Sequence, residues 1–474
     1  MKHHLFAGVT AALLAAAGCG GGSGGGNGAP PTATLTAPAA LADGLAGTIT
    51  LAATAAGAAV ASVEFEVDGI AAGSDPTAPY EVSLDTTAFA SGQHVVRARA
   101  VDAQGRAGAW SAATVRFGGS RTLPAGFAMD PSFVTALDRA TAFVQTPDGR
   151  WLIAEQGGTV RVLKDGQLLL TPFLELADVD ASGERGLIGI AVDPNFAVNR
   201  HVYLHYTTLV AAPVGGVHNR IVRVTADNDR MSAGSEVTVL ELPALSTATN
   251  HNGGALHFGA DGKLYAGVGD NADGARAQDL GSPFGKLLRL NADGTIPADN
   301  PYVGVAGADP AVWATGLRNP FTFAVQPGTG RIHVNDVGAE RWEEIDVGTA
   351  GANYGWPASE GPDNVGAGVT APLFAYGHDA AVPPGSGPGG FFTGASIAGG
   401  VFYPSAGAFP AAYRGNYYFA DFIGRFVARM DLANDADVHA FAQVADMPVD
   451  LRVGLDGALY VLGRSSVTRI AAVP

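Results

Sequence analysis

One phrase recurs through the last three quarters of the chain: an apolar strand, a turn at Asp-Gly or Asp-Pro, then a second apolar strand. Copies stand at Pro147–Ile153, Ile190–Pro194, Leu256–Tyr265, Phe323–Gly328 and Val453–Tyr460, spaced by about 45 to 70 residues where loops intrude. A unit that repeats at this length is one supersecondary element, which buries its apolar faces only against its neighbours. With about four strands per repeat, roughly 350 residues make five to seven blades of a β-propeller. A single large sandwich would not repeat the phrase. Composition agrees: 66 Gly and 28 Pro among 474 residues, with 15% charged, argue against long helical bundles and coiled coils.

The first 30 residues read differently. Lys2 precedes an apolar run from Leu5 to Ala17, too short for a membrane-spanning helix of about 20 residues but suited to a signal sequence. Cys19 is the only cysteine, which excludes an intrachain disulfide and any multi-cysteine metal site. Its place after Leu14–Gly18 resembles the bacterial lipoprotein signal, with cleavage before Cys19 and lipid on its thiol; ordinary secretion with an incidental cysteine is the alternative. Ala16 stands where that signal prefers Leu. Residues 19–30 form a Gly-rich tether. An exported protein follows, periplasmic or lipid-anchored at the outer membrane, touching membrane only through the anchor. The formal net charge of -16 argues against nucleic-acid binding.

Residues 31–118 carry short alternating strands. Val63, Phe65 and Val67 alternate with Glu64, Glu66 and Asp68, and Asp68-Gly69 signals a hairpin. Val96, Ala98 and Ala100 alternate with Arg97 and Arg99. Roughly seven strands in about 90 residues point to a β-sandwich. The stretches Val63–Gly69 and Val96–Asp102 resemble bacterial immunoglobulin-like modules, with the role of a spacer or a carbohydrate-contacting module.

Three polar clusters sit at strand–loop junctions of residues 122–474. In the first, Asn250–Gly254, His251 precedes two glycines that permit close approach of backbone or ligand. The following hairpin returns through Leu264–Asp270, so His251 and Asp270 lie at one edge of a blade. There the carboxylate can orient the imidazole as a general base; a loop histidine satisfied by backbone is the bland alternative. In the second cluster, Gly316–Pro320, Arg318 can grip an anion or steady a developing oxyanion, or form an ion pair that seals the blade. The third cluster, Asn335–Ile345 followed by Asn353–Pro357, gathers carboxylates and the exposed backbone carbonyls of Gly338 and Ala339. Such oxygen ligands suit Ca²⁺, unless the loop is simply a solvated acidic one.

Taken in order, these clusters resemble the soluble quinoprotein glucose/sorbosone dehydrogenase family. That family includes aldose sugar dehydrogenases using pyrroloquinoline quinone (PQQ) and the related module of hedgehog-interacting proteins. The resemblance covers about residues 122–474. It rests on Gly183–Gly189, Asn250–Gly254, Gly267–Asp270, Gly285–Leu290, Gly294–Pro297 with Asp299–Pro301, Gly316–Pro320 and Asn353–Pro357. It implies an all-β fold, a six-bladed β-propeller preceded by a small immunoglobulin-like β-sandwich. It places the catalytic histidine on His251, its orienting carboxylate on Asp270, and the quinone-contacting pair on Arg318 and Asn319. The calcium-holding carbonyls fall on Gly338 and Ala339, and a further cofactor arginine on Arg425. Two positions depart from the family: Glu184 replaces a glutamine, and Pro404 stands where members carry Lys or Arg.

The resemblance therefore implies an exported, PQQ- and Ca²⁺-dependent dehydrogenase. It would oxidise an aldose or related polyol and pass electrons to an unknown periplasmic acceptor. A cofactor-free propeller that binds carbohydrate or protein at the cell surface is the alternative. A calcium-dependent lactonase on a propeller fits the ordered phrases less well.

Overall fold

The computed structural model describes residues 30–38, 45, 47–57, 59–89, 92–117, 123–378, 394–433 and 437–473. The expected signal segment 1–18, Cys19 and the expected tether up to residue 29 lie outside them.

The recurrent phrase folds as the first hairpin of a blade. In blade one Thr146 donates its N–H to Arg150 O at 2.8 Å and Gly149 donates to Thr146 O at 2.9 Å. The pattern returns at Gly259/Lys263 with Gly262, and at Gly454/Ala458 with Gly457. Gly149 and Gly262 have φ of 94° and 72°, and a Cβ there would meet nothing within 4 Å. Glycine is required at these turns by the left-handed backbone and not by crowding.

Six antiparallel sheets follow around the ring. Their first strands are Ala140–Gln145, Leu187–Val192, Leu256–Phe258, Pro320–Val325, Ile397–Phe402 and Pro448–Val453, for blades one to six. The outermost strand of blade six, Phe127–Val134, comes from the other end of the propeller sequence and pairs antiparallel with Val467–Ala472. This closes the ring with strands from both ends of the unit.

Each blade is buried against both neighbours. Leu152 and Val160 of blade one pack with Leu187 and Val222 of blade two, and Tyr203 and Ile221 meet Leu256 and Leu288 of blade three. Trp313 meets Phe323 and Val334, and Ile345 and Tyr376 meet Ile397 and Phe419. Tyr418 and Phe441 meet Leu451 and Ile470, and Tyr460 and Leu462 return to Phe143 and Ile153 of blade one. Because both sheet faces are covered, second strands such as Trp151–Glu155 and Leu264–Val268 are buried at every position. Each large apolar side chain so buried stabilises the ring by about 1.5–3 kcal/mol.

The smaller unit is built of seven strands in two sheets, one of three and one of four. Val63, Phe65, Val67, Val96, Ala98 and Ala100 are all buried, as the alternation requires. Asp68 and Gly69 both have positive φ (52° and 80°), the geometry of a type I′ hairpin turn. On the outward positions Arg97 pairs with Glu66 at 2.7 Å and Arg99 with Glu64 at 2.8 Å. No helix among the described residues is long and apolar enough to cross a membrane.

Candidate active site

The chain enters every first strand and leaves every second strand at the same end of the propeller. Glu184, His251 and Arg318-Asn319 stand before the first strands of blades two, three and four. Asp270, Gly338 and Arg425 stand after the second strands of blades three, four and five. Propeller topology alone therefore brings these distant residues to one face.

His251 and Asp270 meet there. Imidazole Nδ1 lies 2.7 Å from Asp270 Oδ1. The carboxylate is 1% exposed, and its other oxygen accepts the indole N–H of Trp356 at 2.8 Å. The backbone N–H of Ala272 adds a third bond, to Oδ1, at 2.7 Å. A carboxylate with three such partners is fixed in place and fixes the imidazole with Nδ1 protonated. Nε2 has no hydrogen-bond partner among the described residues, and the side chain is 11% exposed. His251 itself has a φ of 55°, a left-handed conformation that costs free energy for a residue with a Cβ.

Glu184 and Asn319 support that conformation. Glu184 Oε2 accepts the backbone N–H of His251 at 2.8 Å and the Asn319 side-chain amide at 3.2 Å. Asn319 Oδ1 accepts the N–H of Gly253 at 2.9 Å. Gly253 and Gly254 face backbone and not ligand: a Cβ would stand 2.7 Å from Gly267 O at the first and 2.8 Å from Ile188 at the second.

Beneath the Arg318-Asn319 pair, buried Asp336 accepts both backbone N–H groups, at 2.8 and 2.6 Å. Burial pushes its carboxyl up to about 7 against the pull of these two donors. Arg318 Nη1 donates to Val337 O at 2.9 Å, its guanidinium carbon lies 5.5 Å from the centre of the Trp356 ring, and its Nε is buried without a partner among the described residues.

Gly338 and Ala339 begin a loop wound round one carboxylate. Glu360 Oε1 accepts the N–H groups of Ala339, Glu340, Arg341 and Trp342 at 2.9 to 3.2 Å. Burial opposes ionisation of Glu360, but these donors prevail and its pKa is lowered. A side chain at 338 is impossible, because its Cβ would fall 1.5 Å from Trp342 O. Among the described residues no group of three or more His, Cys, Asp and Glu side chains is arranged to hold a metal.

A cavity of about 220 Å³ opens at this face. Glu184 and Asn319 line it together with Gln156, Val337, Phe422 and Arg464. Of the other expected positions, His251, Asp270, Arg318, Gly338 and Ala339 stand at this face but outside the cavity wall, and two more stand apart. Arg425 is exposed and bonded to Ala445 O at 3.4 Å. Pro404 follows the first strand of blade five, whereas the cavity is lined from before and within that strand by Ser396 and Ala398. Six residues of extended chain beyond Ala398 span about 20 Å, so residue 404 belongs to the opposite face, and its lack of charge says nothing about ligand binding.

Gln156 and Arg464 were not singled out from the sequence, although a signal existed. Both follow the repeated phrase at the same offset, seven residues from Gly149 to Gln156 and from Gly457 to Arg464, and Asp270 follows Gly262 by eight. Gln156 Nε2 donates to Gly183 O at 2.8 Å and to Arg185 O at 2.7 Å, holding the loop that carries Glu184. Arg464 Nη2 donates to Gln156 Oε1, which links blade six to the His251 loop through the side chains of Arg464, Gln156 and Glu184.

A six-bladed propeller with a carboxylate-held histidine on its loop face defines a class, and sequence comparison identifies it. Residues 137–471 match the Glucose / Sorbosone dehydrogenase family, and residues 31–98 match the Bacterial Ig domain family. The chain belongs to the glucose/sorbosone dehydrogenase family. It is similar to aldose sugar dehydrogenase YliI of Escherichia coli, with 30% identity over 342 residues, 69% of this chain and 87% of that protein. The crystal structure of the soluble aldose sugar dehydrogenase from Escherichia coli, in its apo-form, superposes with a TM-score of 0.63 at 27% identity, covering 73% of this chain and 100% of that one. Mouse hedgehog-interacting protein is 32% identical over 225 residues, 43% of this chain and 32% of its own length.

Proposed function

We propose that the protein is an exported dehydrogenase, dependent on PQQ and Ca²⁺, that oxidises the hydroxyl-bearing carbon of an aldose or related polyol. The 2.7 Å contact between His251 Nδ1 and Asp270, with Nε2 left free, carries this reading. The imidazole so held takes the substrate hydroxyl proton at Nε2. Asp270 keeps the tautomer and balances the charge that forms on the ring.

The residues present fit the cofactor. Arg318 offers a buried Nε without a partner among the described residues, and Arg464 places a guanidinium in the cavity wall. Both suit the carboxylates and oxygens of a quinone acid. Glu184 and Asn319 stand beside them, and the carbonyls of Gly338 and Ala339 would hold the calcium. When bound, the quinone supplies the two-electron acceptor and the metal a Lewis acid. The protein's own part is to orient the sugar, exclude water and move one proton.

Export and a lipid anchor on Cys19 belong to the same proposal, supported by Lys2, the apolar run and the glycine tether. Electrons would leave to a periplasmic acceptor. The competing reading, a cofactor-free binding propeller for carbohydrate or protein, draws on the hedgehog-interacting relatives. Titration with quinone and Ca²⁺, followed by dye-linked oxidation of aldoses, separates the two.

A further inference from the structure

The turn between the second and third strands of blade six puts Arg464 in the wall of the cavity. Its guanidinium is held in one pose by two neutral acceptors: Nη1 donates to Ala140 O at 2.9 Å and Nη2 to Gln156 Oε1. Neither acceptor is a carboxylate. Asp446 and Asp138 act on it only through longer-range attraction, while Arg139 repels it and burial lowers its pKa.

A half-buried cation without a carboxylate partner carries an uncompensated desolvation cost. Such groups persist where a ligand supplies the missing charge. The other charged residue of the wall, Glu184, already has Oε2 bonded to His251 and Asn319. Much of the rest of the wall is apolar, with Ile188, Phe321, Val337, Phe422 and Val449. An occupant matching this wall has an apolar or flat body and an acid group that meets Arg464.

We propose that Arg464 is the carboxylate-binding residue of the cavity, pairing with an acid group on the molecule that fills it. The carboxylate could belong to the quinone, in which case the inference rests on the function proposed above, or to an acidic sugar such as a uronate. Gln156 keeps the guanidinium in its pose and ties its occupancy to the loop carrying Glu184.

The test compares wild type, R464Q and R464K by titration with PQQ, read by tryptophan fluorescence, and with galacturonate, read by calorimetry, with glucose as the uncharged control. R464Q is expected to weaken one acidic ligand by about 10- to 100-fold, the scale of a lost hydrogen bond to a charged group. Glucose binding should change far less than that of the weakened acid, and R464K should recover part of the loss. Loss confined to PQQ assigns the carboxylate to the cofactor. Loss confined to galacturonate, including in a wild type that binds no quinone, assigns it to the substrate and upholds the inference while the quinone reading fails. Equal affinity of wild type and R464Q for both acids, or a wild type that binds neither, overturns it. Should R464Q fail to fold by circular dichroism, phenylglyoxal labelling of wild type decides. Protection of Arg464 by either acid supports the pairing, and equal labelling with and without both refutes it.

Discussion

The carboxylate of Glu184, before blade two, accepts the backbone N–H of His251, before blade three, at 2.8 Å. The same oxygen takes the Asn319 amide from blade four. One acidic side chain thus ties together three blades and supports the left-handed backbone of the histidine that Asp270 holds from the other side.

Glu184 should therefore act through position. Glu184→Gln keeps an acceptor oxygen in place and should leave turnover near that of wild type. Glu184→Ala should release the His251 loop, lower turnover by up to about 10²-fold and cost about 1–3 kcal/mol of stability. Parallel turnover and urea-unfolding measurements check this; equal behaviour of the two variants would contradict it.

Buried histidines make stability depend on pH. His333 is 0% exposed, has no partner at either nitrogen among the described residues, and is pressed by burial down to about 3. Its folded pKa lies below its unfolded value, so the unfolded chain binds the proton first and stability falls as pH drops below 6.5. Between pH 7 and pH 5 this one group removes about 2 kcal/mol. His333→Phe, stacking on the same Phe402 and Tyr417 rings, should abolish that share of the loss. Urea unfolding of both proteins at the two pH values measures it; an identical loss in the variant would show that His333 is protonated when folded.

Much of this was legible in the sequence because it is topological. The Asp-Gly phrase marks the first hairpin of a blade wherever that hairpin is tight, and five copies located five of the six blades. Blade five was silent, because its first two strands are joined by residues 403–416 with a 3-10 turn at Ala411–Tyr413 and prolines at 404 and 410. His251 and Asp270 were legible because they flank one short hairpin. Gln156 and Arg464 come from blades one and six and approach each other only after ring closure, so neither reads as part of a cluster along the chain. The assignment to residue 404 failed for a related reason: a strand's start and end lie on opposite faces, and counting past the strand crosses from one to the other.

Ring closure has its own consequence. Phe127–Val134 supplies the outer strand of blade six. A chain beginning near Gly119 keeps that strand and should fold and retain the activity of the full chain. One beginning at Ala136 lacks it and exposes the edge of Val467–Ala472. The second should unfold at lower denaturant or aggregate. Equal stability of the two truncations would contradict the role given to this strand.

Anchoring is tested at the other end. Cys19→Ala should move the protein from the membrane fraction to the soluble one or leave its precursor uncleaved, as fractionation and intact mass would show. Unchanged fractionation and mass would end the lipoprotein proposal.

The most direct test of the central claim is paired quinone titration and dye-linked aldose oxidation, in excess Ca²⁺, for wild type and His251→Ala. The account predicts that both proteins bind PQQ, because Arg318, Asn319 and the Gly338–Ala339 carbonyls are untouched. Turnover should fall in the variant by about 10²–10⁴-fold, the contribution of a general base. A wild type that binds no quinone and oxidises no aldose, or a variant that keeps full turnover, would contradict it.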